Sequence, residues 1–121
     1  MYNEKTLERF RNPKFAGEIK KADAIGETGN VRCGDILRVY LKVEKDVIKD
    51  IKFKTYGCMA AIAASDMMCE LALNKKLDDA LKITAKDIAE SLGKLPRIKF
   101  HCSILGREAL KKAVEEYRKN N

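Results

Sequence analysis

The chain has 121 residues, 45% of them hydrophobic, and 25 Lys and Arg against 18 Asp and Glu, for a net charge of +7. That length suits one domain over 1–121 and leaves two separate cores marginal, while the apolar fraction excludes wholesale disorder. The longest apolar run, Met59 to Ala64, is far too short to cross a bilayer, and no apolar stretch of a secretory signal follows the polar opening Met1-Tyr2-Asn3-Glu4-Lys5. A soluble cytoplasmic chain with no membrane role is expected.

In chain order, Leu7 and Phe10 sit at helical spacing between Glu4 and Phe10, and Asn12-Pro13 stops the pattern. Residues 16–30 are rich in Gly, Asp and Thr, which predicts loop with one short edge strand. Leu37, Val39, Leu41 and Val43 then alternate with Arg38, Tyr40 and Lys42, the period of a half-buried strand. Ile51, Phe53 and Thr55 alternate with Lys52, Lys54 and Tyr56, and the polar Glu44-Lys45-Asp46 between the two runs predicts an antiparallel hairpin. From Cys58 to about Lys75 the pattern is helical, with Ile62, Met68, Leu71 and Leu73 among many alanines. Leu77 to Leu92 reads as one or two short helices, with Thr84 and Asp87 spaced as a helix start. Gly93 and Pro96 interrupt, and Ser103 is placed to cap a last helix striped by Leu110, Ala113, Val114 and Tyr117. Its other face, with Arg107, Lys111, Lys112, Glu115 and Arg118, reads as solvated surface.

The cysteines are Cys33, Cys58, Cys69 and Cys102. With no export signal and enough apolar residues for a core, they read as reduced thiols rather than a disulfide framework. No CxxC pair supports a zinc finger or a thioredoxin-type motif, so any metal site must be assembled from distant segments. The hairpin supplies a way to do this. Residues paired across the ladder share a face, so Leu37, Val39 and Leu41 should oppose Thr55, Phe53 and Ile51. Continued outward, that register sets Gly34 opposite Cys58 and gathers Cys33, Asp35 and Cys58 at the open end.

Cys58 and Cys102 each stand just before a predicted helix, where the partial positive charge favours thiolate over thiol. A small buried apolar role is the plainer alternative for each. Cys69 follows Cys58 by 11 positions, about 16 Å along the helix axis. Metal–sulfur bonds are about 2.3 Å, so the two cannot share a small centre, and Cys69 reads as core. His101, the only histidine, stands beside Cys102 and adds an imidazole suited to zinc or iron. The candidate metal ligands are therefore Cys33, Asp35, Cys58, His101 and Cys102.

Three segments, Cys33-Gly34-Asp35, Lys54-Thr55-Tyr56-Gly57-Cys58 and His101-Cys102-Ser103, resemble the signature segments of the IscU-type iron–sulfur cluster scaffold family, to which the N-terminal domain of NifU also belongs. Asn12-Pro13, Asp87-Ile88-Ala89-Glu90, Leu95-Pro96 and Ala109-Leu110 extend the likeness over nearly the whole chain. The resemblance implies an α+β fold, with a small three-stranded antiparallel sheet, helices packed against it and a long C-terminal helix. It implies an assembly scaffold without turnover chemistry of its own. A cysteine desulfurase would deliver persulfide sulfur, Fe2+ and electrons would arrive, and a transient [2Fe-2S] cluster, with [4Fe-4S] as the alternative, would be held by Cys33, Cys58 and Cys102 and passed to acceptor proteins. Cys102 would receive the persulfide, Asp35 or His101 would complete the site, and Zn2+ would occupy it when no cluster is bound. Stable clusters usually have four cysteine ligands, and a carboxylate matches a soft centre poorly, so Asp35 should favour release. Much of the family carries a second proline where this chain has Arg97 in Leu95-Pro96-Arg97-Ile98-Lys99, which argues against an Hsp70-type chaperone partner. A monomer or weak homo-oligomer is expected.

Other classes fit less well. A zinc-bound sulfur-transfer protein of the SufU kind is the closest, although no insertion of the kind that marks that branch lies between Cys58 and Cys102. A thiol enzyme would need His101 as base for Cys102, but adjacent side chains do not naturally form that hydrogen bond. The lysines are dispersed and carry no recognition motif, so no nucleic-acid partner is expected.

Overall fold

The alternating segments form the centre of the molecule. In the computed structural model, which describes residues 4–30, 35–56, 59–93 and 100–120, strands β2 (Asp35–Glu44) and β3 (Val47–Thr55) make the antiparallel hairpin. Leu37 pairs with Thr55, Val39 with Phe53 and Leu41 with Ile51, the register that a single buried face demands. Lys45 and Asp46 close the tip with φ of 53° and 63°, a two-residue turn whose handedness matches strand twist. Between Lys42 and Val43 the ladder slips by one residue. This bulge reverses the parity of the tip, so that even-numbered Ile48 enters the core together with odd-numbered Ile51 and Phe53.

β1 (Ala24–Asn30) pairs antiparallel with β2 and completes a sheet in the order β1-β2-β3. The edge strand expected in the glycine-rich stretch is thus present and runs seven residues, through both Gly26 and Gly29. The outer edge of β3 is partly covered. Phe53 N–H donates to the Phe15 carbonyl and receives Gly17 N–H on its own carbonyl, while Ile48 exchanges hydrogen bonds with Asn74 and Lys75. Such cover blunts an edge that would otherwise template a further strand.

Among the described residues five helices accompany the sheet: α1 (Glu4–Arg11), α2 (Met59–Ala72), α3 (Leu77–Ala80), α4 (Ala85–Ser91) and α5 (Phe100–Asn120). α2 packs on β3, and α5 lies across β1 and β2; α4 fills the angle between α2 and α5, and α1 lies on α2. The core sits between the helices and the inner face of the sheet, where Val39, Leu41, Phe53, Met68, Ile88 and Leu110 are at most 2% exposed. Alternation sends Arg38, Lys52 and Lys54 to the other face. The α+β class, the three antiparallel strands and the long last helix are as expected. Two boundaries differ: α2 stops at Ala72, short of the expected Lys75, and the last helix starts early. α5 begins at Phe100, so Ser103 lies inside its first turn and does not cap it, and Cys102 is the helix's third residue rather than its predecessor. A cap preference is worth only about 1 kcal/mol, too little to set a boundary against tertiary packing. No helix among the described residues is long and apolar enough to cross a membrane.

Candidate functional site

The strands and helices share a polarity. The hairpin tip is joined to the end of α2, where Asn74 N–H donates to the Ile48 carbonyl, and to α3, where Leu77 N–H donates to the Asp46 carbonyl. Arg118, near the end of α5, pairs with Asp78 of α3. Both long helices therefore finish towards the tip and start towards the open end, where β2 begins and β3 ends. There the Ile36 carbonyl accepts from the Thr55 hydroxyl (2.7 Å) and from the Tyr56 N–H (3.1 Å), closing the ladder beside Asp35. Tyr56 itself is 69% exposed, a large aromatic on this rim.

Of the candidate ligands, Asp35 is the first residue of β2 and its backbone pairs with Asn30. His101 and Cys102 are the second and third residues of α5. Cys58 directly precedes Met59, the first residue of α2. Cys33, Cys58 and the Leu95–Lys99 segment lie outside the described residues, as do the side chains of Asp35, His101 and Cys102. Among the described residues no three His, Cys, Asp or Glu are grouped to hold a metal.

The electrostatics of the two helix starts are informative. The first turns of α2 and α5 carry no acidic residue, so neither helix neutralises its own unsatisfied N–H groups with a carboxylate. That environment suits an anion, and a thiolate is one. Cys69 contrasts sharply. It is fully buried in α2, and burial, with Asp66 adding to it, pushes its thiol well above the ordinary range. A thiol held neutral among core side chains is a poor ligand and a poor nucleophile, and its expected place in the core is confirmed.

Sequence reading missed a polar cluster on α2. Asp66 is 0% exposed, yet one carboxylate oxygen accepts from the Arg9 guanidinium and the other from the Phe15 N–H, both at 2.8 Å. Arg9 reaches Glu70 as well, at 2.7 Å. Burial acts to lower the pKa of Arg9, but the hydrogen bonds with Glu70 and Asp66 outweigh it and hold the pKa raised. The cluster ties α1 and the Phe15–Gly17 segment to the helix that starts after Cys58. Its available signal was an Asp and a Glu four apart in a helix otherwise apolar but for Ser65.

The described residues define a small α+β domain in which a strand start, a strand end and two helix starts lie towards one end. The chain belongs to the NifU-like N terminal domain family, which matches residues 1–121. It is 47% identical over 121 residues to the iron-sulfur cluster assembly scaffold protein IscU 1 of Archaeoglobus fulgidus, covering 100% of this chain and 79% of that protein. It is 54% identical over 119 residues to the nitrogen fixation protein NifU of Azotobacter chroococcum, of which it spans 38%. A crystal structure of a putative iron-sulfur cluster assembly scaffold protein for the SUF system, from Fervidobacterium islandicum, superposes with a TM-score of 0.77 at 27% identity, covering 93% of this chain and 96% of that one.

Proposed function

We propose that this protein is a scaffold on which iron–sulfur clusters are assembled before transfer to acceptor proteins. Its membership of the NifU-like N terminal domain family, with relatives named as such scaffolds at about half identity, carries the reading. The polarity of the fold supports it: the segments that bear Cys33, Asp35, Cys58, His101 and Cys102 adjoin the open end of one hairpin and the starts of two helices whose first turns carry no acidic residue. The domain acts as one unit over 1–121, in the cytoplasm, and its role is assembly rather than turnover.

Cys33, Cys58 and Cys102 are the thiolate ligands, and Asp35 or His101 supplies the fourth position. A cysteine desulfurase presents its cysteine persulfide to Cys102. The Cys102 thiolate attacks the outer sulfur, a new S–S bond forms on this chain, and the desulfurase cysteine leaves as thiolate. Two electrons then break that bond, releasing sulfide and restoring the Cys102 thiolate; for the two sulfurs of one cluster, two of the four electrons come from an external reductant and two from the pair of iron(II) ions, which become iron(III). The product is a [2Fe-2S] cluster with an incomplete thiolate set. Such a set holds its cluster loosely, which suits transfer. Zn2+ fills the same ligands when no cluster is bound.

Anaerobic reconstitution with iron(II), cysteine and a desulfurase tests this by visible absorbance and Mössbauer spectra. Serine in place of Cys33, Cys58 or Cys102 is expected to abolish a stable cluster, while Cys69→Ser keeps it; loss at Cys69 alone would reverse the ligand assignment. Asp35→Ala is expected to lengthen cluster lifetime, and an equal or shorter lifetime would remove Asp35 from release. Sulfur transfer that requires bound zinc and leaves no cluster on the chain would favour the zinc-bound sulfur-transfer reading instead.

A further inference from the structure

Gly26 lies in the middle of β1 and is buried under α5. A Cβ built there would stand 2.3 Å from the Ala109 carbonyl oxygen, 2.3 Å from the Ala113 nitrogen and 2.9 Å from the Ala113 Cα. All three are backbone atoms inside a continuous helix and cannot rotate aside. Gly106, three residues earlier on α5, is unlike it. A Cβ there would meet only side chains of Met68 and Ile88, at 3.8 Å or more. α5 therefore rests on the sheet backbone to backbone at Gly26, and ordinary contact for a larger residue would require it to retreat by about 1 Å, from 2.3 Å to 3.4 Å.

A rigid helix carries such a displacement to its ends. Cys102 precedes Ala109 by seven residues, about 10 Å along the axis. On the strand side, β1 runs from Gly26 to Asn30, whose backbone pairs with Asp35 at the start of β2. One close contact thus references the first turn of α5 to the rim of the sheet.

We propose that Gly26 is a positioning residue of the scaffold site: by admitting the α5 backbone onto β1, it sets where the first turn of α5, bearing Cys102, stands relative to the β2 rim that carries Asp35 and follows Cys33. This rests on the reading of Cys102 as a ligand beside Cys33 and Cys58. Glycine is required here for approach and not for its backbone angles, since Gly26 is not among the positive-φ residues.

The test uses the full chain, reduced and metal-free, as wild type, Gly26→Ala, Gly106→Ala and Ile51→Val. Urea unfolding reports the fold, and Ile51→Val supplies a destabilised variant remote from the α5–β1 contact. Diamide is added, and disulfides joining Cys102 to Cys33 or Cys58 are timed by peptide mapping. Thiolate-to-cobalt charge-transfer absorption on Co2+ addition is the second readout. Gly26→Ala is expected to fold yet to trap Cys102 roughly tenfold more slowly or worse, with a weakened cobalt band, while Gly106→Ala and Ile51→Val match wild type. A wild-type trapping rate in folded Gly26→Ala, an equal loss in Ile51→Val, or a Gly26→Ala chain that does not fold would overturn the proposal. Cys102→Ser separates the two readings. If it leaves the cobalt band unchanged, the three-thiol site fails and this proposal with it; if it weakens the band while Gly26→Ala does not, only the positioning role fails.

Discussion

Asp66 accepts two hydrogen bonds from groups that belong to other segments, and no water can replace them at a site with 0% exposure. Asp66→Ala would strand the Phe15 N–H and leave Arg9 with Glu70 alone. The expected loss is about 3 kcal/mol, read as a lower urea midpoint at unchanged slope. Cys69 presents a different residue-scale effect. Its thiol is held well above the ordinary range by burial, so the unfolded chain loses that proton first as pH rises. The unfolded state then binds fewer protons than the folded one, and stability, fully present below about pH 8.5, falls above it. Cys69→Ala should flatten that decline when urea midpoints are compared between about pH 8 and pH 10. Iodoacetamide should leave Cys69 unmodified in the folded chain at neutral pH, as mass mapping would show. The core role of Cys69 was legible because its neighbours Met67, Met68 and Leu71 are apolar. The role of Asp66 was not, because its partners are 57 and 51 residues away.

Local chemistry decides some elements completely. Thr84 accepts from the Asp87 N–H at 3.1 Å and its own N–H donates to the Asp87 carboxylate at 3.0 Å, the reciprocal box that the spacing foretold. Thr84→Ala should cost about 1 kcal/mol, seen by urea unfolding, with no change in metal binding, since neither Thr84 nor Asp87 is a candidate ligand. The hairpin register was equally legible, because a one-residue slip would turn its whole apolar face outward. The bulge between Lys42 and Val43 was not, since strict alternation places Ile48 outside. The start of α5 was misread for a related reason: a cap preference is local and weak, whereas that helix is seated by contacts along its length. β1 escaped full recognition because glycine suppresses strand propensity, and here Gly26 serves an approach that a lone segment does not reveal.

At the scale of the whole molecule, the candidate ligands come from three separate stretches of chain, so a bound metal should knit those stretches together. Zn2+ present at a hundredfold its Kd is expected to stabilise the folded state by about 2.7 kcal/mol, which for a chain this size raises the melting temperature by about 10 °C. Chelation should reverse the shift, and the variant with serine at Cys33, Cys58 and Cys102 should show none, as scanning calorimetry would record. The sequence by itself determined the elements, the register and the short-range signals around each cysteine, because period, capping and pairing act over a few residues. Only the tertiary structure decided that α2 and α5 point the same way, that the Phe15–Gly17 segment edges β3, and that α5 is seated on a glycine. Those outcomes depend on which surfaces meet, and a contact between residues 26 and 109 leaves no periodic trace in either segment.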